Sequence, residues 1–582
     1  MRRRALLAVA AVGLLAATAC VGTDPPPPRR DAPAPGPATP PTPPLPPTPP
    51  PPPTPPGPVT SLTLTADPSI NRATISWQRP VGSAPERYTL GVHENGRQVG
   101  AFVCYAPCTE RTIDLTPAAS AAVSVRAVNS AGGSAVRTSN TVVVSQPCPL
   151  ACVTVDATQS AGPALGRARG FLHAIGPGTK PARIDALQPE HWRVSGTWND
   201  GWGPEYAAAH GAELTYVLSG DWHDETTTGE GAAEPWADWN RYTTFITRTV
   251  SAVRAQGIAV EYWDIQNEPG GADYYPPGVT PTIDQLLLQF KVAYQALKAA
   301  DPGARVVAPS LIGYSDQPGE ASTELDLRTF LDYAVANGLA FDAISFHDNR
   351  YLHRPDGYAP DGWGMAPDEV VRSVERLRAL LAQRPSLGSP AILVNEYSDP
   401  TTQGLPGWSA GRIAALETAN VDEANRTCWG TCGDGSLDGL LTGDGETTYP
   451  AYWVYAYYAQ MSGNRVPVTT SNTSVTAFAT SAPDGTVRVL LGRHQGCRPD
   501  LQPPNACANP PVAEGEVTLE VRVPAPAAAV VTVEAIPAAA APLAAPVAKL
   551  AFPAAVALDG VVTVPLPDVA DGDALQITID PA

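Results

Sequence analysis

The sequence predicts a multidomain chain in which a (β/α)₈ TIM barrel stands between two antiparallel β-sandwiches. Three observations predict it. Between residues 147 and 462, strand-like runs alternate with helix-length amphipathic runs, the pattern of a parallel sheet covered by helices. On either side that helical periodicity disappears, and short alternating runs separated by turn residues replace it. The strand-like runs in the middle number eight, the count that closes a barrel, and 582 residues exceed what one hydrophobic core supports.

The chain opens with Arg2-Arg3-Arg4, an apolar run from Ala5 to Ala16, and Ala17-Thr18-Ala19 before Cys20. Residues 1–20 therefore read as a secretory signal, too short to span a bilayer stably. Cys20 directly after small residues fits a lipidated N-terminus as well as plain cleavage, and both cut the same bond. The expected location is extracellular or at the cell surface, with a membrane tether if Cys20 is lipidated. Residues 21–58 form a linker. Of the 35 residues from Asp24 to Pro58, 21 are proline, so the segment cannot pack a core and reads as a semi-rigid spacer of up to about 110 Å.

Beyond Cys20 the cysteines fall into neighbours: Cys104 and Cys108, Cys148 and Cys152, Cys428 and Cys432, Cys497 and Cys507. Eight cysteines allow 105 connectivities, yet this clustering in an exported chain points to four local bridges. A metal reading of the C-x₃-C pairs lacks any His or further Cys nearby, so neither a metal nor another cofactor is expected. The net charge of −19 repels phosphate backbones and disfavours nucleic acid as a partner; polysaccharide is compatible with it.

Residues 59–146 carry about seven short strands, with a hairpin signal at Asn95-Gly96 and apolar alternation through Ala73, Ile75 and Trp77 and through Tyr88, Leu90 and Val92. Barrel strands are expected at 169–175, 192–197, 213–218, 261–268, 305–311, 341–347, 391–397 and 437–442, with helices over 236–256, 283–300, 324–336, 368–383 and 450–461. Residues 153–157 either precede the first barrel strand or pair with the C-terminal domain. From 463 to 582 short β runs return as the second sandwich.

The candidate chemistry lies at two strand ends. Tyr262, Trp263 and Ile265 are strand formers and Pro269-Gly270 ends the run, so Asn267-Glu268 sit at the C-terminal lip, where barrels do their chemistry. Glu396 closes a similar strand 128 residues later. Two carboxylates across one cleft are the equipment of glycoside hydrolysis, one protonated to assist departure and one ionised to attack or to activate water. Trp198 and Trp222 follow strand ends closely enough to offer sugar-stacking faces, with core packing as the alternative.

Several motifs together resemble a known family. "GFLHA" with His173, "WRVSG" with Arg193, "YWDIQNEP", "SFHDN" with His347 and "VNEYS" look like the clan A glycoside hydrolases, most of all glycoside hydrolase family 39, over about residues 150–462. The resemblance implies Glu268 as acid/base and Glu396 as nucleophile, closing strands four and seven, with net retention on a polysaccharide or oligosaccharide. It also implies Arg193 as support for the nucleophile, and His173, His347 and Asn267 as sugar contacts. The clan's usual aromatic on strand eight has no counterpart in "GLLTGDGE". "ISW", "RYTL", "IDLTP" and "VSVRAVNSAG" make residues 59–146 similar to a fibronectin type III module, with Ala121 where a corner tyrosine is usual. A catalytically silent glycan-binding surface protein would use the same cleft, with no need for both carboxylates.

Overall fold

The computed structural model describes residues 54–66, 72–106, 108–115, 120–143, 150–172, 179–195, 207, 209–222, 234–270, 279–316, 325–348, 367–398, 402–428, 437, 439–472, 474–494, 515–524, 528–555 and 560–582. The 1–20 signal, most of the 21–58 linker, Cys20, Cys148, His173, Trp198, Cys432, Cys497 and Cys507 lie outside them.

Eight parallel strands close a barrel in chain order: Gly170–Leu172, His191–Val194, Glu213–Val217, Tyr262–Asp264, Val306–Leu311, Ala343–Asp348, Ala391–Tyr397 and Glu423–Arg426. Seven overlap the runs expected from sequence. The eighth does not, because the 437–442 segment makes only an isolated bridge, Leu441 to Thr448, and the closing strand lies upstream. Polarity hides it. Glu423 and Asn425 face the barrel interior, where Thr215 Oγ1 donates to Glu423 at 3.3 Å and Asn425 Nδ2 donates to it at 2.6 Å. A strand whose buried face is hydrogen-bonded rather than apolar carries no hydrophobic pattern to read. Closure also needs Gly170, since a Cβ there would lie 2.4 Å from the Ala424 carbonyl oxygen and 2.3 Å from Asn425 Oδ1.

The outer helices follow ordinary start and stop chemistry. Asp238 caps Trp239–Ala255, a Thr282/Gln285 capping box opens Ile283–Ala300, and Asp326 caps Leu327–Asn337, which Gly338 ends at φ +62°. Glu369–Ala382 buries Val370, Val374, Leu377 and Leu381 along one face. Pro406–Ala419 has no such division, because every residue except Thr418 is buried. It packs between the barrel and the C-terminal sandwich, where the Gly407 amide donates to the Gly572 carbonyl at 2.6 Å.

That sandwich has a four-stranded sheet, Val468–Thr470, Ala151–Asp156, Gly515–Arg522 and Val561–Val569, facing a six-stranded one. Ala151–Asp156 pairs parallel with Gly515–Arg522, Val153 opposite Leu519. Residues 153–157 thus belong to the C-terminal domain, and the barrel is inserted between the first strand of the sandwich and the rest. Val153, Val155, Val489, Leu519, Val521 and Ile577 are fully buried in the shared core. Tyr457 Oη donates to the Ile577 carbonyl at 2.6 Å, and Trp453 Nε1 to the Leu543 carbonyl at 2.7 Å, tying the last barrel helix to it.

The N-terminal sandwich sets Thr60–Ala66, Arg72–Gln78 and Glu110–Asp114 against a sheet built on Arg87–Glu94, Arg97–Tyr105 and Ser120–Asn129. Trp77 meets Tyr88 edge-on at 5.2 Å in its core. Asn95 at φ +51° and Gly96 at φ +79° make the left-handed pair that a two-residue hairpin needs. Cys104, near the end of Arg97–Tyr105, and Cys108, in the loop after it, form a local disulfide. Cys152 and Cys428 are disulfide-bonded as well.

Candidate active site

Strand four is regular only through Tyr262–Asp264. Beyond it Asn267 makes a lone parallel bridge to Ser310, and the Glu268 amide donates to the Ser310 carbonyl at 2.8 Å. This fixes Glu268 at φ +42°, a left-handed conformation that a side chain with a Cβ adopts at a cost of about 1–3 kcal/mol. Such an outlier at a strand end marks a carboxylate whose direction matters more than its local comfort.

Strand seven solves a different problem, one of parity. Asn395 and Glu396 are adjacent, so in a regular strand they would face opposite sides. The register with strand six runs Ser345 opposite Leu393 and then His347 opposite Glu396, one residue out of step; strand eight meets a similar slip between Val394 and Tyr397. Strand seven therefore bulges there, and both side chains turn into the barrel mouth.

Arg193 on strand two sits at the centre, fully buried. Its Nη1 donates to Glu396 Oε1 at 2.7 Å, its Nε and Nη2 donate to Asp264 Oδ2 at 3.1 and 2.8 Å, and Nη2 also reaches Asn267 Oδ1. Ser310 Oγ and Asn395 Nδ2 donate to the same Asp264 oxygen at 2.6 and 2.9 Å, and Ser310 in turn meets Ser345 Oγ at 2.8 Å. On the other side His347 Nδ1 is hydrogen-bonded to Glu268 Oε1 at 2.8 Å and lies 3.4 Å from Glu396 Oε2. Burial pushes this imidazole down to about 4 against the pull of Glu396, so it is neutral at pH 7.

Of the residues singled out by sequence, Glu268, Glu396, Asn267, Arg193 and His347 come together at this mouth. His347 touches both carboxylates. Trp222 does not join them. It is 5 % exposed and meets Tyr242 and Phe245 edge-on at 5.0 and 5.2 Å in the hydrophobic core, with Arg241 over its ring. It is a core tryptophan, carried on the helical stretch 218–222 that directly follows strand three. Asp264, Ser310, Ser345 and Asn395 went unread in the sequence; an Asp inside "YWDI" and a Ser inside "VVAPSL" were the available signals, each a polar residue in an otherwise apolar strand. With strand eight ending at Arg426, the aromatic that follows it is Trp429, which lies outside the described residues.

One ligating atom each from Glu268, His347 and Glu396 falls within 4.8 Å of the others, a set that a divalent cation could bridge. The same spacing suits a carboxylate pair flanking a scissile bond.

No family model matches the chain, and no curated protein does. Among solved structures it is similar to N2152 from Neocallimastix frontalis, at 19 % identity over 74 % of this chain and 100 % of that one, with a TM-score of 0.59. It is also similar to the GH39 enzyme from Xanthomonas axonopodis pv. citri (17 %, 74 % and 97 %, TM-score 0.51) and to a monomeric beta-xylosidase from Caulobacter crescentus CB15 (16 %, 74 % and 99 %, TM-score 0.51). At these identities the likeness establishes the fold, a TIM barrel carrying additional β-sheets.

Proposed function

We propose that the protein is an exported, xylosidase-like retaining glycoside hydrolase that cleaves O-glycosidic bonds of a polysaccharide or oligosaccharide by two-glutamate double displacement. The observation that carries this reading is the asymmetric partnering of two closely spaced glutamates. One oxygen of each glutamate comes within 4.8 Å of the other, a close approach of the kind a retaining pair needs. Arg193 donates to Glu396, and a cation beside a carboxylate favours the charged form that attacks. Glu268 is hydrogen-bonded to a neutral imidazole instead, which suits it to hold a proton for the leaving oxygen and later to take one from water.

In the first step Glu396 forms an ester at the anomeric carbon while Glu268 protonates the departing oxygen. In the second, Glu268 removes a proton from water, which displaces Glu396. Asn267, held at its carbonyl by Arg193, presents its amide to the sugar 2-hydroxyl. The beta-xylosidase among the similar structures supports a xylose-like sugar. The signal, the proline spacer and a fibronectin type III-like sandwich support an enzyme held off a cell surface, through Cys20 if that residue is lipidated.

Hydrolysis of aryl glycosides tests this. Glu396→Gln should abolish turnover, and Glu268→Ala should give a burst on activated aryl glycosides, with azide restoring the second step and yielding a glycosyl azide of retained configuration. Inverted wild-type product by proton NMR, or wild-type activity in both variants, would overturn the reading. A wild-type protein that binds glycans and hydrolyses none would identify the silent binding protein.

A further inference from the structure

We propose that Asp264 is a positioning residue of this site, which by occupying the Nε/Nη2 edge of Arg193 keeps that edge from gripping the nucleophile Glu396 and so preserves its nucleophilicity. The proposal rests on the reading of Glu396 as nucleophile.

An arginine beside one carboxylate normally grips it through two parallel N–H bonds. Here that edge, Nε and Nη2, is spent on Asp264 at 3.1 and 2.8 Å, and Nη1 donates to Glu396 at 2.7 Å. The arrangement is anchored from beneath. Four donors converge on Asp264 Oδ2, two from Arg193 and one each from Ser310 and Asn395, while Oδ1 has no hydrogen-bond partner among the described residues. Asp264 is fully buried, so its charge is neither screened nor free to swing. The second consequence concerns Asn267. Because Nη2 reaches Asn267 Oδ1, the amide is held with its carbonyl inward and its N–H₂ toward the mouth.

The charged and titratable groups facing Arg193 on strand two come from four other strands: Asp264 and the adjoining Glu268 on strand four, His347 on strand six, Glu396 on strand seven and Glu423 on strand eight. Removing the Asp264 charge leaves Arg193 to be balanced chiefly by Glu396. The guanidinium then swings toward Glu396 and binds it more tightly, which makes that carboxylate a weaker base and a weaker attacker.

The experiment measures kcat and KM across pH for Asp264→Asn on an aryl glycoside that the wild type hydrolyses. The acid limb of kcat/KM, set by the ionisation of the nucleophile in free enzyme, should move down by about one pH unit for a charge lost this close. On the plateau kcat should fall at least about tenfold while KM changes by less than about twofold. A folded Asp264→Asn enzyme with the wild-type limb overturns the proposal, whatever its loss of rate, because a purely structural defect lowers rate without moving the limb. Should Asp264→Asn fail to fold, Ser310→Ala decides. Removing one neutral donor from Oδ2 makes Asp264 a stronger partner for Arg193, so its limb should shift upward; an unmoved or lowered limb overturns the proposal. Glu396→Gln on the same substrate separates the two questions, since turnover there would remove the nucleophile assignment itself.

Discussion

Glu423→Gln should stabilise the protein above pH 7 and leave it unchanged near pH 4. Glu423 is buried on strand eight inside the barrel, and desolvation pushes it from an ordinary 4.5 up to about 7, with the Asn425 and Thr215 hydrogen bonds and the Arg193 charge opposing the rise. The folded state therefore holds this proton more tightly than the unfolded chain. Stability falls as pH climbs from about 4.5 to 7 and is level beyond, the reverse of a salt-bridged carboxylate. A gap of about 2.5 units corresponds to at most about 3 kcal/mol. Gln keeps the shape, still accepts from Asn425, and finds an acceptor near it in His191 Nδ1, 3.9 Å from the present carboxylate. The buried imidazoles His347 and His494, each pushed down to about 4 by burial, act in the opposite sense: their contribution is full above pH 6.5 and lost as pH falls toward 4. In the wild type one carboxyl offsets part of that acid-side loss. Chemical denaturation midpoints from pH 4 to 8.5 should show the variant level with wild type at the acid end and ahead of it at the alkaline end. A difference that is the same at every pH would refute an ionisation origin.

Trp222→Ala should cost about 3–5 kcal/mol in denaturant unfolding, as for a large buried aromatic, and leave KM unchanged. A raised KM at unchanged stability would return Trp222 to the sugar site. Gly407→Ala should cost at least about 1–3 kcal/mol, because its Cβ would stand 2.1 Å from the Arg493 carbonyl oxygen and 2.6 Å from that of Asp573, both backbone atoms of the C-terminal sandwich. A neutral midpoint shift would show that the barrel and sandwich part easily at this seam. Peptide mass mapping without reduction should recover Cys104–Cys108, Cys148–Cys152, Cys428–Cys432 and Cys497–Cys507, and a bridge between domains would overturn local pairing.

Strands that bury apolar side chains were legible. Val306–Leu311 and Ala391–Tyr397 stand out as apolar runs between helices whose stripes and caps are equally plain. What failed was each place where burial is not apolar. Strand eight packs Glu423, Asn425 and Arg426, and a reading keyed to hydrophobicity moved the closing strand to the leucines at 437–442. Helix Pro406–Ala419 failed in the other direction, being buried on all sides and so lacking a stripe. Residues 153–157 were ambiguous for a third reason. A β-strand states its alternation but not its partner, and pairing with Gly515–Arg522 spans more than three hundred residues of chain.

The site divides along the same line. Glu268 and Glu396 were readable because a carboxylate ending an aromatic or aliphatic strand has few structural uses, and two at strands four and seven have fewer. The frame beneath them was not readable, because it depends on where strands depart from regularity. Period-two alternation allows only one of Asn395 and Glu396 to face the cleft, and the bulge in strand seven turns in both. Glu268 likewise points where it does because its backbone is left-handed, held by Ser310 on the next strand. Both irregularities converge on Arg193: the bulge brings Asn395 onto Asp264 Oδ2 and Glu396 onto Nη1, and the turn at Glu268 leaves Asn267 within reach of Nη2. A residue chosen by local pattern can be found by local pattern. A geometry produced by one extra residue in a strand leaves its mark in register alone, and register exists only once the neighbouring strands are in place.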